Sequence, residues 1–165
     1  MFNGLGHNPV VVTENADLDL AAEKVVHLKT FNNGQDCAGP DSVLVSRQVF
    51  NDFYLLLVKK LNSVQVGDYT DKKSIVGRMP SRLDVENATK LLLKHRKNII
   101  YGGKIDYKRQ IVYPTVISYE ISEHMNFLET FSPIIFLNVY KDEKELKEYF
   151  IHSSYIQNRM YVSIF

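Results

Sequence analysis

The sequence contains only one cysteine, Cys37, in 165 residues, so the chain cannot form an internal disulfide. It has no apolar run long enough to cross a bilayer. Its first residues, Met1–Gly4, carry neither the basic part nor the apolar part of a signal peptide. Together these features predict a cytoplasmic, reducing setting in which Cys37 remains a thiol.

The chain also has no excess of charge of either sign. Twenty Lys and Arg residues against 19 Asp and Glu residues give a formal net charge of +1, which predicts neither a nucleic acid nor a membrane as partner. The five histidines are not spaced like metal ligands, and one cysteine cannot build a cysteine-rich zinc site. We therefore assign no metal.

The length of the chain suits one domain with a substantial core. Short β-branched or apolar runs predict strands at Pro9–Thr13, Val43–Val45, Ile99–Tyr101, Gln110–Val116, Ile134–Tyr140 and Tyr161–Phe165. Apolar residues at helical spacing predict helices that begin at Asp17, after Ser46, after Ser81 and at Asp142.

Two further local expectations follow from the sequence. Ser46 and Ser81 are candidate N-caps, and in the helix after Ser81 we expect Leu83, Ala88, Leu91 and Leu92 to form the apolar face. The polar stretch 104–109 predicts an exposed loop. Alternation of strands and helices predicts an α/β fold with a largely parallel sheet. The last strand either lies at the edge of this sheet or is supplied to a partner chain.

Cys37 follows the turn-forming residues Asn32-Asn33-Gly34 at the end of the first predicted helix. A lone cysteine in such a chain is either a buried, inert thiol or a nucleophile. On a tight turn, the backbone N–H beside the sulfur can help to hold a developing oxyanion.

Six segments in this order resemble motifs of one family: Gly4–Pro9, Glu14–Asp19, Phe31–Cys37, Val66–Asp68, Tyr113–Val116 and Glu129–Pro133. The family is the NAD(P)-dependent aldehyde dehydrogenase superfamily. Gly4–Pro9 resembles its glycine-rich turn, Glu14–Asp19 a helix start and Phe31–Cys37 its nucleophile motif. Val66–Asp68 resembles a turn, Tyr113–Val116 a strand and Glu129–Pro133 its cofactor-side motif. The resemblance implies a three-layer α/β catalytic domain with a mostly parallel sheet. It covers residues 1–165 as a single partial domain, truncated at both ends.

The resemblance also implies roles for individual residues. Cys37 matches the nucleophile, with its own N–H in the oxyanion hole. Glu129 matches the carboxylate that binds the nicotinamide ribose, and Phe131 matches the aromatic residue beside the nicotinamide. The implied reaction is oxidation of an aldehyde to an acid or acyl thioester with NAD or NADP.

The sequence departs from the family pattern at several points. We expect the N-terminal dinucleotide-binding domain and the C-terminal oligomerisation segment to be absent, so a separate dinucleotide-binding chain or a homo-oligomer is the expected partner. Asn3 stands where most members have the glutamate general base, and an amide does not take a proton from water. Ser132 replaces a motif glycine, and its β-carbon is expected to disturb the turn.

Two alternatives to a hydrolytic dehydrogenase follow from these departures. One is a degenerate, non-catalytic derivative that serves as an interaction module or has no function. The other is a member that passes the acyl group to coenzyme A, because such members can dispense with the base.

Overall fold

The computed structural model describes residues 6–165, and Asn3 lies outside them. The helices of this part of the chain are α1 (Leu18–Thr30), α2 (Phe50–Asn62), α3 (Arg82–Lys94), α4 (Glu143–Ile151) and α5 (Ser153–Asn158). Its strands are β1 (Pro9–Val12), β2 (Ser42–Ser46), β3 (Ile99–Tyr101), β4 (Ile105–Asp106), β5 (Ile111–Val112), β6 (Thr115–Glu120), β7 (Ile134–Tyr140) and β8 (Ser163–Ile164). Short 3₁₀ turns occupy Phe31–Gly34 and Arg96–Asn98.

The main sheet has six strands in the order β3-β6-β7-β2-β1-β8. Only β3 is antiparallel to its neighbour, and every other pair in this sheet is parallel. Helices connect most of the parallel strands, because parallel neighbours need a long crossover. The mostly parallel α/β sheet predicted from the sequence is confirmed.

Helices cover both faces of the sheet. In β1, Val10 and Val12 pack on one face with α1 and α2, whereas Val11 packs on the other face with residues of α4 and α5. α3 covers the β6 and β7 part of that second face. Side chains alternate between the faces of a strand, so the nearly continuous apolar strands supply both cores. The expected three-layer arrangement is confirmed.

Side chains cap α1, α3 and α4, and Ser81, at the start of α3, is the cap that the sequence predicted. Asp17 accepts from the Leu20 N–H at 3.0 Å, Ser81 and Asp84 form a reciprocal capping box, and Asp142 caps α4. The prediction that Ser46 caps α2 is wrong, because β2 continues through Ser46 and α2 begins at Phe50 without a side-chain cap.

The segment 104–116 differs from its prediction. Instead of a loop followed by one strand, Ile105–Asp106 pairs with Ile111–Val112 in a small hairpin, and β6 starts at Thr115. The break falls at Pro114, which has no N–H for a strand ladder. Leu83 is also not part of the apolar face of α3, since its side chain is 60% exposed.

The C-terminal residues lie at the edge of the chain's own sheet. β8 pairs in parallel with β1, and Phe165 exchanges backbone hydrogen bonds with Thr13 and Val11 at 2.9 Å each. Of the two sequence alternatives for this strand, the structure therefore shows the first. In residues 6–165, no helix combines the length and the apolar character required to span a membrane.

Candidate active site

A left-handed turn connects α1 to the segment that carries Cys37. Asn32, Asn33 and Gly34 have φ values of 48°, 58° and 73°, in the region that Asn and Gly adopt most readily. A β-carbon on Gly34 would lie 2.4 Å from the Ser132 carbonyl oxygen. Only glycine therefore permits this close approach of the turn to the segment around Ser132.

The side chain of Asn33 fixes the turn against a neighbouring loop. Its Oδ1 accepts from the Gly77 N–H at 2.7 Å, and its Nδ2 donates to the Arg78 carbonyl at 3.1 Å. These bonds hold the exit of α1 in one orientation, as the turn residues in the sequence suggested.

Cys37 is exposed on the short turn that follows. Asn8 Nδ2 donates to the Cys37 carbonyl at 2.6 Å, and the Asp36 side chain accepts from the Ala38 N–H at 2.9 Å. The Tyr161 hydroxyl donates to the Ala38 carbonyl, and burial raises the pKa of Tyr161. Cys37 is thus exposed while the backbone around it is held, which excludes a residue sealed in the core.

Glu129 and Phe131 line a single cavity of about 270 Å³ between the segment 128–132 and α3. Phe131 is 47% exposed, and Glu129 is half-buried and accepts from the Gly6 N–H at 3.3 Å. Cys37 does not line this cavity.

The segment 6–8 lies between the two parts of the candidate site. Gly6 contacts Glu129 through its N–H, and two residues later Asn8 holds the Cys37 carbonyl. The structure therefore brings Glu129 and Phe131 together at one cavity and connects Cys37 to them through this short segment. The position of Asn3 is outside the described residues.

Ser132 does not show the expected disturbance. It is buried, with 4% of its surface exposed, and its φ is not among the positive values found in residues 6–165. Since an ordinary φ suits any residue, its β-carbon needs no conformational freedom that glycine alone has. The residue that must be a glycine at this close contact is Gly34, on the turn that packs against the Ser132 segment.

Sequence reasoning missed a buried polar network behind the site. Lys29 is 1% exposed, and its Nζ donates to the Thr130 carbonyl at 2.8 Å and to Thr130 Oγ1 at 3.0 Å. Burial lowers the pKa of Lys29 to about 8, although the charges of Asp41 and Glu129 oppose the shift. Burial likewise raises the pKa of Asp41 to about 6, against the opposing effects of Lys29 and of two backbone N–H groups.

His7 and Tyr149 extend this network to α4, since His7 Nδ1 lies 3.7 Å from Asp41 Oδ2. His7 Nε2 lies 2.5 Å from the Tyr149 hydroxyl, which donates to the Asn126 carbonyl at 2.9 Å. Burial lowers the pKa of His7 to about 4, and Lys29 adds to the shift. His7 is therefore neutral near neutral pH.

One signal in the sequence could have revealed Lys29. Ala22, Val25 and Val26 form the buried stripe of α1, and Lys29 occupies the next position at helical spacing. The apolar pattern continues through Leu28, but that residue is 36% exposed. A lysine on a buried stripe indicates a buried partner.

Comparison with known proteins agrees with this fold and motif order. The aldehyde dehydrogenase family pattern matches residues 3–155, so the chain belongs to the aldehyde dehydrogenase family. It is 29% identical over 143 residues to a lactaldehyde dehydrogenase of Methanococcus maripaludis, covering 85% of this chain and 30% of that protein. It is 30% identical over 141 residues to the 4,4'-diaponeurosporen-aldehyde dehydrogenase of Staphylococcus aureus, with the same coverage of 85% and 30%.

The solved structures give the same fold. The 1-pyrroline-5-carboxylate dehydrogenase from Thermus, determined with bound NAD, superimposes with a TM-score of 0.80 at 18% identity, over 96% of this chain and 35% of that one. The chain thus spans about a third of the length of the relatives it matches.

Proposed function

We propose that this chain is the cysteine-bearing part of an enzyme that oxidises an aldehyde with NAD or NADP. The observation that carries the proposal is an exposed Cys37 on a turn whose carbonyls are held by Asn8 and Tyr161. A nucleophile needs this combination of access and fixed orientation. A reducing compartment such as the cytoplasm would keep the thiol available.

The proposed chemistry centres on Cys37. Its thiolate adds to the carbonyl carbon of the aldehyde and forms a thiohemiacetal, while the Cys37 N–H donates to the developing oxyanion. After oxidation the same sulfur carries an acyl thioester. Attack of water, or of another acceptor, on the acyl carbon then releases the product and restores the thiol.

The residues near the cavity fit the nicotinamide end of a dinucleotide. A carboxylate accepts hydrogen bonds from two hydroxyl groups, and Glu129 presents one beside an exposed aromatic ring, Phe131, at the same cavity. We assign Glu129 to the ribose hydroxyls and Phe131 to the nicotinamide side. When bound, the dinucleotide supplies the acceptor for the hydride that leaves the substrate carbon.

A second candidate function is acyl transfer to coenzyme A. It is favoured by Asn3, which the resemblance aligns with the family's general base and which cannot activate water as a carboxylate does. Assays on an assembly of this chain with a dinucleotide-binding domain would distinguish hydrolysis from acyl transfer to coenzyme A. Release of free acid at the same rate with and without coenzyme A would exclude the transfer reaction.

Alkylation of Cys37 tests the main proposal. We expect iodoacetamide to label the native chain at neutral pH about tenfold faster than the chain unfolded in urea, because the turn holds the exposed Cys37 in one orientation beside backbone N–H groups. Mass spectrometry of the digested protein measures both rates. Excess aldehyde should protect the native thiol more than the unfolded one.

The variant Cys37→Ser gives the blank for this experiment, since it removes the only thiol. Slower labelling of the native chain than of the unfolded chain would contradict the proposal. That outcome would favour the degenerate, non-catalytic alternative.

A further inference from the structure

One buried threonine, Thr130, makes four polar contacts, one of them from its hydroxyl to the Ile134 carbonyl at 3.5 Å and three with Lys29 and Asp41. Lys29 Nζ donates to both its carbonyl and its hydroxyl oxygen, and its N–H donates to Asp41 Oδ1 at 3.4 Å. Thr130 stands between Glu129 and Phe131, the two residues assigned to the dinucleotide. Lys29 and Asp41 therefore fix the backbone from which both of those side chains extend.

The second oxygen of the same carboxylate holds the other part of the site. Asp41 Oδ2 accepts from the Asn8 N–H at 3.1 Å. The Asn8 side chain in turn donates to the carbonyls of Cys37 and Gly39, at 2.6 Å and 3.3 Å. Asp41 is thus connected to the nucleophile turn through one residue and to the Glu129–Phe131 segment directly.

We propose that Asp41 is a positioning residue that fixes the Cys37 turn relative to the Glu129–Phe131 segment, with Lys29 as its buried counter-charge. The inference rests on the proposed function, because a positioning role requires that Cys37, Glu129 and Phe131 act at one reaction site. Neither side chain touches the substrate. Asp41 acts through Asn8 and Thr130, and Lys29 acts through Thr130.

Stability alone gives little reason for this arrangement. Taking a lysine and an aspartate out of water is costly, and well-packed apolar side chains of similar volume often give equal or greater stability. Lys29 and Asp41 are 1% and 3% exposed. The directional bonds to Thr130 and Asn8 are what apolar side chains could not replace.

The substitution Asp41→Asn tests the inference. The amide retains one acceptor oxygen but turns an NH₂ group towards the other N–H donor, so one of the two segments loses its bond. We expect hydrogen exchange in at least one of the segments 35–41 and 128–133 to become at least about fivefold faster, which is the effect of losing one hydrogen bond. We also expect the rate of Cys37 alkylation to fall by about fivefold.

Leu57→Ala is the matched control for a purely structural role. Leu57 is fully buried in the core formed by α1 and α2, and its truncation lowers global stability without touching the site. The control should leave the exchange of both segments and the Cys37 rate within about twofold of the parent under conditions that keep the protein folded. Equal changes in Leu57→Ala and Asp41→Asn would overturn the inference.

Lys29→Met is the second variant if Asp41→Asn does not fold. It removes the bonds to Thr130 and leaves the contacts of Asn8 with Cys37 intact. The inference expects faster exchange in 128–133 and also slower alkylation of Cys37, because Asp41 has lost its counter-charge. An unchanged Cys37 rate in Lys29→Met would refute the coupling.

The two proposals fail in different ways. If the parent chain labels more slowly than its unfolded form, the proposed function fails whatever the variants do. If the parent labels fast and Asp41→Asn changes neither the exchange nor the labelling, only the positioning role fails.

Discussion

Gly34→Ala is expected to destabilise the fold by about 3 kcal/mol or more. Two effects add: Gly34 has a φ of 73°, and a new β-carbon would lie 2.4 Å from the Ser132 carbonyl oxygen and 2.9 Å from the Lys29 carbonyl oxygen. Both oxygens belong to the backbone, so neither can rotate away. Urea unfolding of the parent and the variant measures the loss.

Gly77→Ala provides the matched control. Gly77 lies in a loop next to the same turn, but the nearest atom to its added β-carbon is 3.4 Å away and its φ is not positive. This control should change stability by less than about 1 kcal/mol. If Gly34→Ala lost no more stability than the control, the prediction would be wrong, because the turn would then adjust to the new β-carbon at little cost.

The second large effect concerns pH and Lys29. The unfolded chain keeps the Lys29 proton up to its ordinary pKa of 10.5, whereas in the folded protein burial lowers the pKa to about 8. Between these pH values the unfolded state binds more protons, so stability rises with pH. Lys29→Met removes this contribution, which we expect to be at most about 3 kcal/mol over the interval.

The measurement is the free energy of unfolding at several pH values from 8 to 10 for the parent and for Lys29→Met. Subtracting the two free energies of unfolding cancels the contribution of groups that titrate equally in both proteins, including the tyrosines. Lys24→Met serves as control, because Lys24 lies on the same helix with 49% of its side chain exposed. Parallel pH curves for the parent and Lys29→Met would contradict a buried, proton-releasing Lys29.

Local patterns predicted much of the architecture. Nearly continuous apolar runs such as Ile134–Tyr140 predicted strands, and Ser81 and Asp142 predicted helix starts, because these signals depend on neighbours along the chain. Predictions failed where a neighbour in space decides. Ser46 has the chemistry of an N-cap, but pairing with β7 keeps it in β2.

The candidate site divides in the same way. The Asn32-Asn33-Gly34 turn follows from residue types and is present in the structure. The sequence left open whether Cys37 is buried, and the structure shows that it is exposed. The expected disturbance at Ser132 is absent, because whether a β-carbon fits depends on the segment packed against it. That segment is the turn at Gly34, almost a hundred residues away in the sequence.

By itself, the sequence determined the mostly parallel α/β class, the family and the position of its one thiol, since strand patterns, turn residues and ordered motifs are local properties. Only the tertiary structure decided that Lys29 and Asp41 are buried together at Thr130 and that one carboxylate connects the Cys37 turn to the Glu129–Phe131 segment. The physical reason is that the free energy of a buried charge depends on the groups around it. Those groups come from α1, from the start of β2 and from the segment before β7, which only folding brings together.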